Sequence, residues 1–463
     1  MGNRRRSKRR AALAAGPDTP AEATARAAQR ARRALRWIVV FYLFLAGSYA
    51  VRVPLGQGPD ETAHVRYVEH LARERQLPLY AFDPRTPGAN YEFHQPPLYY
   101  ALCLPTYLLS GGGDGTSQRA ARLFTAVLSV GLIYLTFALA RTLAPPERVW
   151  VPIGAAGVSA FLPMQLHLAS SIGNDALSQV LSAAVLLLLV MHLRARSSED
   201  GGKPNRETRP TAMAWIGLMI GLAMLTKSSS VLLFPVAWFT AVFAARSKGG
   251  YQWGRLAADI AVVTAVALVV CGWWLALNHR LDHGILGQRS FMQAFQGRRP
   301  SPESVMSAWE GEFPPESRLR VYVGLVTAWT LGSTLGVFGP RHDFYPTWIY
   351  VAYGLLGAVG ALGFARYLGR GNLTAWQRQS WWVCAFYGAL LLLSFIRFNF
   401  SFFQAQARYL FPLLPAAAAA FCLGLSFLSG PRREPWVVGV AVGSLALLAF
   451  LTLPWLAGEL LRP

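Results

Sequence analysis

The sequence predicts an all-α protein that crosses a membrane many times. Three observations support this prediction: of 463 residues 53% are hydrophobic, only 14% are charged, and the mean hydropathy is +0.31. Apolar runs of about 15–23 residues recur along the chain, close to the roughly 20 residues that a helix needs to cross the hydrocarbon core. Because unpaired backbone groups are costly in lipid, we expect these runs to be helices.

The chain carries a formal net charge of +21, and the excess lies mainly in the N-terminal tail and in short loops. This distribution follows the positive-inside rule of membrane proteins, so no binding to nucleic acid is expected. Residues 1–36 are predicted to form a basic cytoplasmic tail, the last part of which lies as a helix on the anionic leaflet. The run 37–53 could be taken for a signal peptide, but no clear A-x-A site precedes Gly56. It is therefore predicted to be a retained first span.

Four connections are rich in Lys and Arg, and we expect them on the cytoplasmic side together with the N-terminus. They are 192–210, 246–255, 366–378 and 429–435. Counting crossings from these connections gives about eleven spans and places the C-terminus outside. The spans are expected near 37–53, 119–140, 150–169, 176–193, 211–226, 229–245, 256–277, 345–365, 380–396, 408–428 and 436–457.

The same count defines the remaining parts of the chain. Outer loops are predicted at 55–118 and 278–344, a transmembrane domain at 37–457, and a short tail at 458–463. Two apolar segments, 98–110 and 321–338, do not cross the membrane on this count. We expect them to be juxtamembrane or re-entrant helices on the outer face, because the first is too short to span.

With this topology the unusual polar residues lie on the outer face. Ionisable groups at the ends of apolar helices are costly, which makes them candidates for function. Carboxylates beside cations suit transfer from a phosphate-linked donor, since a carboxylate removes the acceptor proton and cations or a metal neutralise the leaving phosphate. The residues concerned are Asp60, Glu61, His64, His94, Gln95, Asn174, Asp175, Lys227, Asn278, His279, Arg280, Arg341, His342, Asp343, Arg397, Arg408 and Tyr409.

Five short motifs occur in order along the chain. They are Gly-Pro-Asp-Glu at 58–61, His-Gln-Pro-Pro-Leu-Tyr-Tyr at 94–100, Gly-Asn-Asp-Ala-Leu at 173–177, Leu-Thr-Lys at 225–227 and Gln-Ala-Arg-Tyr-Leu-Phe-Pro at 406–412. With these motifs the chain resembles the GT-C superfamily of integral-membrane glycosyltransferases over about residues 37–430. That superfamily includes protein O-mannosyltransferases and lipid A aminoarabinose transferases, and the chain is most similar to a bacterial branch with Pro-Asp-Glu and Gln-x-Arg-Tyr-Leu-Phe-Pro motifs.

The resemblance implies a GT-C-like helical bundle with juxtamembrane helices on the outer face. It implies an inverting hexosyl- or pentosyltransferase of the cell envelope, located in the inner or plasma membrane. The partners it implies are a polyprenyl-phosphate sugar donor, membrane lipid, and a glycan, lipid or protein acceptor.

The resemblance also implies roles for single residues. Asp60 would be the general base on the acceptor, and Glu61 its neighbour in acceptor or metal binding. Lys227 and Arg408, with Tyr409, would bind the donor phosphate, although Lys227 is followed by Ser where the family more often has Pro or Gly. The remaining residues would line the substrate site: His64, His94, Gln95, Asn174, Asp175 and Arg280.

No cofactor is certain from the sequence. A divalent metal is an open alternative, for which Glu61, His64 and His94 are the available ligands. The two histidines lack the close spacing typical of a metal site.

Several of these residues also have a purely structural explanation. Asp60 and Asn174 could each cap the helix that follows, Lys227 could extend to the outer interface, and Arg408 could be an interface anchor. At the level of function, a transporter or flippase of a lipid-linked or small anionic substrate and a non-catalytic scaffold are the alternatives. The absence of an internal repeat and of charges deep within the predicted spans counts against a transporter.

Overall fold

The computed structural model describes residues 20–80, 90–197, 208–247, 250–295, 300–307, 314–338 and 343–459. Parts of the predicted tails, of the loop 192–210 and the residues Arg341 and His342 lie outside the described residues. Within the described part the protein is mainly helical.

The helices of the first half are Pro20–Arg52, Glu61–Glu74, Leu98–Leu109, Gly115–Leu128, Val130–Leu143, Trp150–Phe161, Pro163–Ala169, Asp175–Arg196 and Thr208–Met224. Those of the second half are Leu233–Ala245, Trp253–Arg280, Gln288–Ala294, Pro302–Ser307, Arg318–Leu335, Thr347–Arg370, Ala375–Asn399 and Leu414–Glu459. Short 3-10 helices occur at Tyr91–His94, Ser228–Leu232, Pro315–Ser317 and Ala407–Leu413. Two antiparallel pairs of two-residue strands join Arg246–Ser247 to Gly250–Tyr251 and Val337–Phe338 to Asp343–Phe344.

Eight helices of the described part are long and apolar enough to cross a membrane, or nine if one bent pair is a single span. The bent pair is Trp150–Phe161 with Pro163–Ala169, and it turns by 63° where a proline occupies the first turn of the second helix. The last helix breaks at Gly430, whose φ of 73° favours glycine. This break falls in the predicted connection 429–435. Every predicted span therefore has a helical segment, and the number eleven remains a prediction.

The two apolar segments of the outer loops are also helical. Leu98–Leu109 has 12 residues and Arg318–Leu335 has 18. Neither belongs to the eight helices that are long and apolar enough to cross a membrane, and their place at the surface of the membrane remains a prediction.

The helix Asp175–Arg196 lies at the centre of the bundle, because 72% of its most apolar window is buried. The corresponding fraction for Thr347–Arg370 is 11%, so this helix is peripheral and presents its apolar side chains outwards, as a lipid-facing helix does.

The basic connections meet at one end of this bundle. Arg148 forms an ion pair with Glu434 at 3.2 Å, and the guanidinium of Arg194 lies 5.5 Å from the ring centroid of Trp376. A third contact joins Gln377 to the carbonyl of Leu143 at 3.2 Å. A fourth joins Arg196 to the carbonyl of Ala244 at 3.4 Å. All four connections expected in the cytoplasm therefore contact one another or the helix ends beside them.

Candidate active site

Asp60 stands between a Gly-Pro turn and the helix Glu61–Glu74. Its backbone is left-handed, with φ 57° and ψ 11°, a conformation that Asp tolerates better than most residues. The side chain makes no capping hydrogen bond to the helix, so the alternative that Asp60 only caps this helix is wrong. The carboxylate instead accepts a hydrogen bond from the Tyr91 hydroxyl at 2.5 Å and forms an ion pair with Arg408. The side chain is 27% exposed, so a ligand beside it can reach the carboxylate.

Arg408 connects Asp60 to a second acid, Asp175. Its side chain is 3% exposed, and one terminal nitrogen donates to Oδ2 of Asp175 at 3.3 Å. Lys227 forms an ion pair with the other oxygen of Asp175. Asp60, Asp175, Lys227 and Arg408, here called the charged cluster, thus bring together four of the five sequence motifs with two positive and two negative charges.

The charged cluster keeps Asp60 ionised. Burial alone would raise the pKa of the Asp60 carboxyl, but the charge of Arg408 and the hydrogen bond from Tyr91 hold this pKa well below its ordinary value. A carboxylate held in this way is a weak base.

Tyr409 packs its ring against both cations of the charged cluster. The ring centroid is 5.0 Å from Cζ of Arg408 and 5.3 Å from Nζ of Lys227, within the range of cation–π attraction. Its hydroxyl accepts from Arg408 at 3.2 Å and donates to Gln404. Tyr409 therefore fixes the position of the two cations.

Asn174 and Gln95 support the charged cluster from behind. The Asn174 amide donates to Oε1 of Gln95 at 3.2 Å and to the carbonyl of Thr226 at 3.1 Å. It makes no capping hydrogen bond to the helix Asp175–Arg196, so the capping alternative is wrong here too. These bonds hold the segment before Lys227 next to the start of that helix.

His64 and His94 line the cavity that the charged cluster also faces, and burial favours the neutral form of both rings. Nδ1 of His64 is 2.8 Å from the Tyr100 hydroxyl and 3.7 Å from Oε2 of Glu92, and Nδ1 of His94 donates to the carbonyl of Tyr91. Burial is the main cause that lowers the pKa of both His64 and His94 to about 4.

The side chain of Glu61 points away from this cavity. This direction corrects the expectation that Glu61 is a catalytic or acceptor-binding residue. Its side chain is 1% exposed and receives two hydrogen bonds from Arg122, at 2.7 and 2.6 Å. The carboxylate also accepts from the backbone N–H groups of Gly56, Gly58 and Ile172. Burial would raise the pKa of Glu61, but the bonds from Arg122 hold it below its ordinary value. Glu61 therefore fixes the loop in front of Asp60.

The metal alternative does not fit the positions of its expected ligands. Glu61 is turned towards Arg122, while His64 and His94 direct Nδ1 to Tyr100 and to a backbone carbonyl. No group of three or more His, Cys, Asp or Glu in the described part of the chain could hold a metal ion.

Arg280 also lies away from the cavity. It ends the helix Trp253–Arg280 with an exposed side chain and is not among the residues that line the cavity. The expectation that Arg280 lines the substrate site is therefore not met.

The charged cluster faces a cavity of about 630 Å³, here called the first cavity. Its polar lining adds His64, Tyr91, Glu92, His94, Gln95, Asn174, Arg397, Gln404 and Tyr409. Its apolar wall consists of Val231, Leu232, Leu286, Phe291, Met292, Phe295 and Phe398. A recess of about 190 Å³ shares the residues Asp175, Lys227, Arg408 and Tyr409 and adds Leu391, Phe395 and Pro412. A polar floor with apolar walls suits a ligand that has an anionic head and an apolar tail.

Arg397 lies at the exposed edge of the first cavity. Among the described residues it has no ion-pair or hydrogen-bond partner, unlike Lys227 and Arg408. Arg397 is therefore the cation that can meet an incoming anion without breaking an existing ion pair.

The sequence analysis missed Tyr91 and Glu92, which lie beside Asp60 in space. Glu92 is 5% exposed, and burial together with the nearby charge of Asp60 raises its pKa to about 8. The available signal was an acid between two aromatic residues just before His94, a composition unusual for a solvated loop.

No protein-family model matches this chain, and no curated protein matches it. Solved structures do match. The archaeal oligosaccharyltransferase AglB from Archaeoglobus fulgidus, in complex with an inhibitory peptide and a dolichol-phosphate, has a TM-score of 0.52 at 14% identity. The match covers 91% of this chain and 55% of AglB. The same archaeal enzyme in complex with Zn and sulfate gives 0.51 at 15% identity, over 89% and 52% of the two chains.

ArnT from Cupriavidus metallidurans bound to undecaprenyl phosphate has a TM-score of 0.51 at 16% identity. This match covers 91% of the chain and 74% of ArnT. Both matched proteins are GT-C glycosyltransferases, so the comparison confirms the predicted fold class: a multi-pass helical membrane protein with the GT-C fold. The chain spans about half the length of AglB.

Proposed function

We propose that this protein is a membrane glycosyltransferase that moves a sugar from a polyprenyl-phosphate-linked donor to an acceptor hydroxyl. The observation that carries the proposal is the position of the Asp60 carboxylate in one cavity with Lys227, Arg397 and Arg408. The transmembrane domain 37–457 would be the catalytic unit, and the transferred sugar would be a hexose or a pentose.

The first cavity has the chemistry that a lipid-linked donor needs. An anionic phosphate group fits the cations on its floor and edge, and the polyprenyl chain fits the apolar wall and the recess beside it. AglB and ArnT, which share the fold, have been solved with dolichol-phosphate and undecaprenyl phosphate. These ligands support a polyprenyl phosphate as the leaving group in the first cavity.

Transfer proceeds by one displacement that inverts the anomeric centre. The acceptor oxygen forms a bond to the anomeric carbon while the bond from that carbon to the phosphate oxygen breaks. Asp60 takes the proton of the acceptor hydroxyl. The polyprenyl phosphate leaves with the bonding electrons, and Lys227, Arg397 and Arg408 stabilise its charge.

Donor binding also prepares Asp60 for its role. In the ligand-free arrangement Arg408 is paired with both Asp60 and Asp175. A phosphate that approaches Arg408 draws part of this positive charge away from Asp60, and the basicity of the carboxylate rises as a result. The base therefore becomes effective only when a donor is present, which limits futile reaction.

The active site is proposed to face the outer side of the membrane. The helix Asp175–Arg196 begins in the charged cluster and ends beside the basic connections, about 32 Å away at roughly 1.5 Å per residue. The positive-inside rule assigns the basic end to the cytoplasm, with the N-terminus. An impermeant thiol reagent should therefore label Asn90→Cys but not Arg432→Cys in intact cells, and the reverse pattern contradicts this orientation.

A turnover assay separates the proposal from transport. The full-length protein in nanodiscs receives polyprenyl phosphates that carry labelled mannose, glucose or arabinose together with glycan, lipid and peptide acceptors that have free hydroxyl groups, and release of free polyprenyl phosphate is measured. Turnover of at least one donor is expected. Ion-coupled uptake in proteoliposomes without turnover of any donor would favour the transporter alternative instead.

A further inference from the structure

A second cavity, of about 280 Å³, shares Asp60 and Arg408 with the first cavity. The other lining residues used here are Gln57, His167, Trp329, Ser333 and Gln406. The Asp60 carboxylate therefore stands at the boundary between two separate spaces.

Three polar residues that line the second cavity each have one side-chain atom without a partner in the described part of the protein. Oε1 of Gln57, Nε2 of His167 and Oε1 of Gln406 are buried without a hydrogen bond in the described part of the protein. His167 as a whole is 2% exposed. Unsatisfied buried polar atoms are costly and rare in native proteins. The amides of Gln57 and Gln406 and the imidazole of His167 are side chains that suit a ligand with several hydroxyl groups.

The shape and the charge of the second cavity restrict this ligand further. Asp60, Arg408 and His167 are the residues with a titratable side chain among those that line it. Its volume equals that of about nine water molecules at roughly 30 Å³ each, enough for one sugar ring. Trp329 adds an aromatic surface of the kind on which the apolar face of a sugar can pack.

We propose that the second cavity is the acceptor site and that it holds one neutral sugar unit of a glycan. This inference rests on the proposed function and selects the glycan among the three acceptor classes. Gln57, His167 and Gln406 bind hydroxyl groups of the sugar, and Trp329 packs against its ring. The reacting hydroxyl points to Asp60 and loses its proton there as its oxygen bonds to the anomeric carbon. The polyprenyl phosphate departs on the side of the first cavity.

A binding experiment tests this site without requiring any transfer. Saturation-transfer NMR measures binding of methyl glycosides of mannose, glucose and arabinose to the full-length protein in nanodiscs. At least one glycoside should bind, and Gln406→Leu and Trp329→Ala should each weaken its binding by about tenfold, the effect of one lost hydrogen bond or packing contact. Gln179→Leu is the matched control, because the Gln179 amide is also buried and unpartnered but lines none of the three cavities described here.

The possible results separate the two proposals. No binding of any glycoside, or binding that no cavity variant weakens, overturns the sugar site, and turnover of a donor would still leave the transferase standing. Glycoside binding that the cavity variants weaken supports the sugar site. If no donor is turned over in that case, the proposed transferase is overturned instead. Retained binding of undecaprenyl phosphate in Gln406→Leu and Trp329→Ala verifies that these variants are folded.

Discussion

The carboxylate of Asp60 and the guanidinium of Arg408 form an ion pair although 348 positions separate the two residues in the chain. The pair joins the first outer loop to the 3-10 helix Ala407–Leu413, which precedes the last helix. It also places a candidate base next to a candidate phosphate-binding cation. The geometry of the proposed reaction depends on this contact.

Arg408 should be needed for the stability of the fold as well as for transfer activity. Arg408→Gln leaves Asp60 and Asp175 without their shared cation, and breaking a buried ion pair in this way costs about 3–5 kcal/mol. We expect a lower midpoint of thermal unfolding in detergent. The double variant with Asp175→Asn should recover part of this loss but no transfer activity. Unchanged unfolding of Arg408→Gln would show that the ion pairs contribute little.

Arg397 should affect donor binding without affecting the fold. It has no ion-pair partner among the described residues and lies at the edge of the first cavity, so Arg397→Ala removes only a contact with the ligand. The Kd for undecaprenyl phosphate should rise by about tenfold, as expected for one charge-assisted hydrogen bond. Arg280→Ala is the matched control, since Arg280 is exposed and outside the cavity. Equal effects of both variants would argue against a specific phosphate contact.

Glu61 should be important for stability but not for chemistry. Glu61→Gln weakens the bonds with Arg122, which is buried and has no other carboxylate among its partners in the described part. Its thermal midpoint should fall, while the turnover rate per folded molecule stays within about threefold of the unchanged protein, because no transition-state contact is removed. A loss of turnover in Glu61→Gln as large as that of an Asp60 variant would show that Glu61 takes part in catalysis.

Glu92 should make stability depend on pH. Its pKa is raised from 4.5 to about 8 in the fold, so the folded protein holds this proton more tightly than the unfolded chain does. The corresponding stability is fully present below pH 4.5 and is lost as the pH rises to about 8. Glu92→Gln mimics the neutral form and should unfold at a higher temperature than the unchanged protein at pH 9, with little difference at pH 5. Equal midpoints at pH 9 would contradict this assignment.

The sequence predicts the helices and the members of the charged cluster for a clear physical reason. Apolar runs of spanning length must be helical in lipid, and counting charged connections predicts that Asp60, Asp175, Lys227 and Arg408 lie on one face of the membrane. The bend between Phe161 and Pro163 and the exact ends of the helices depend on packing, and the sequence alone did not provide them.

Side-chain direction was the part that the sequence could not provide. Asp60 and Glu61 are neighbours in the chain, but only Asp60 reaches the cavity, because Glu61 begins the helix and points to a different side. The partner of Glu61 is Arg122, which lies 61 positions away within a predicted span. No local pattern identifies such a pair.

Donor turnover by Asp60→Asn tests the central claim most directly. The assay uses the full-length protein in nanodiscs with the polyprenyl-phosphate sugar and the acceptor that the unchanged protein uses, and Glu61→Gln serves as the control from the adjacent position. Asp60→Asn should lose transfer by about 10²–10⁴-fold, the contribution of a general base, while it still binds undecaprenyl phosphate. Full transfer by Asp60→Asn would contradict the assignment of Asp60 as the base.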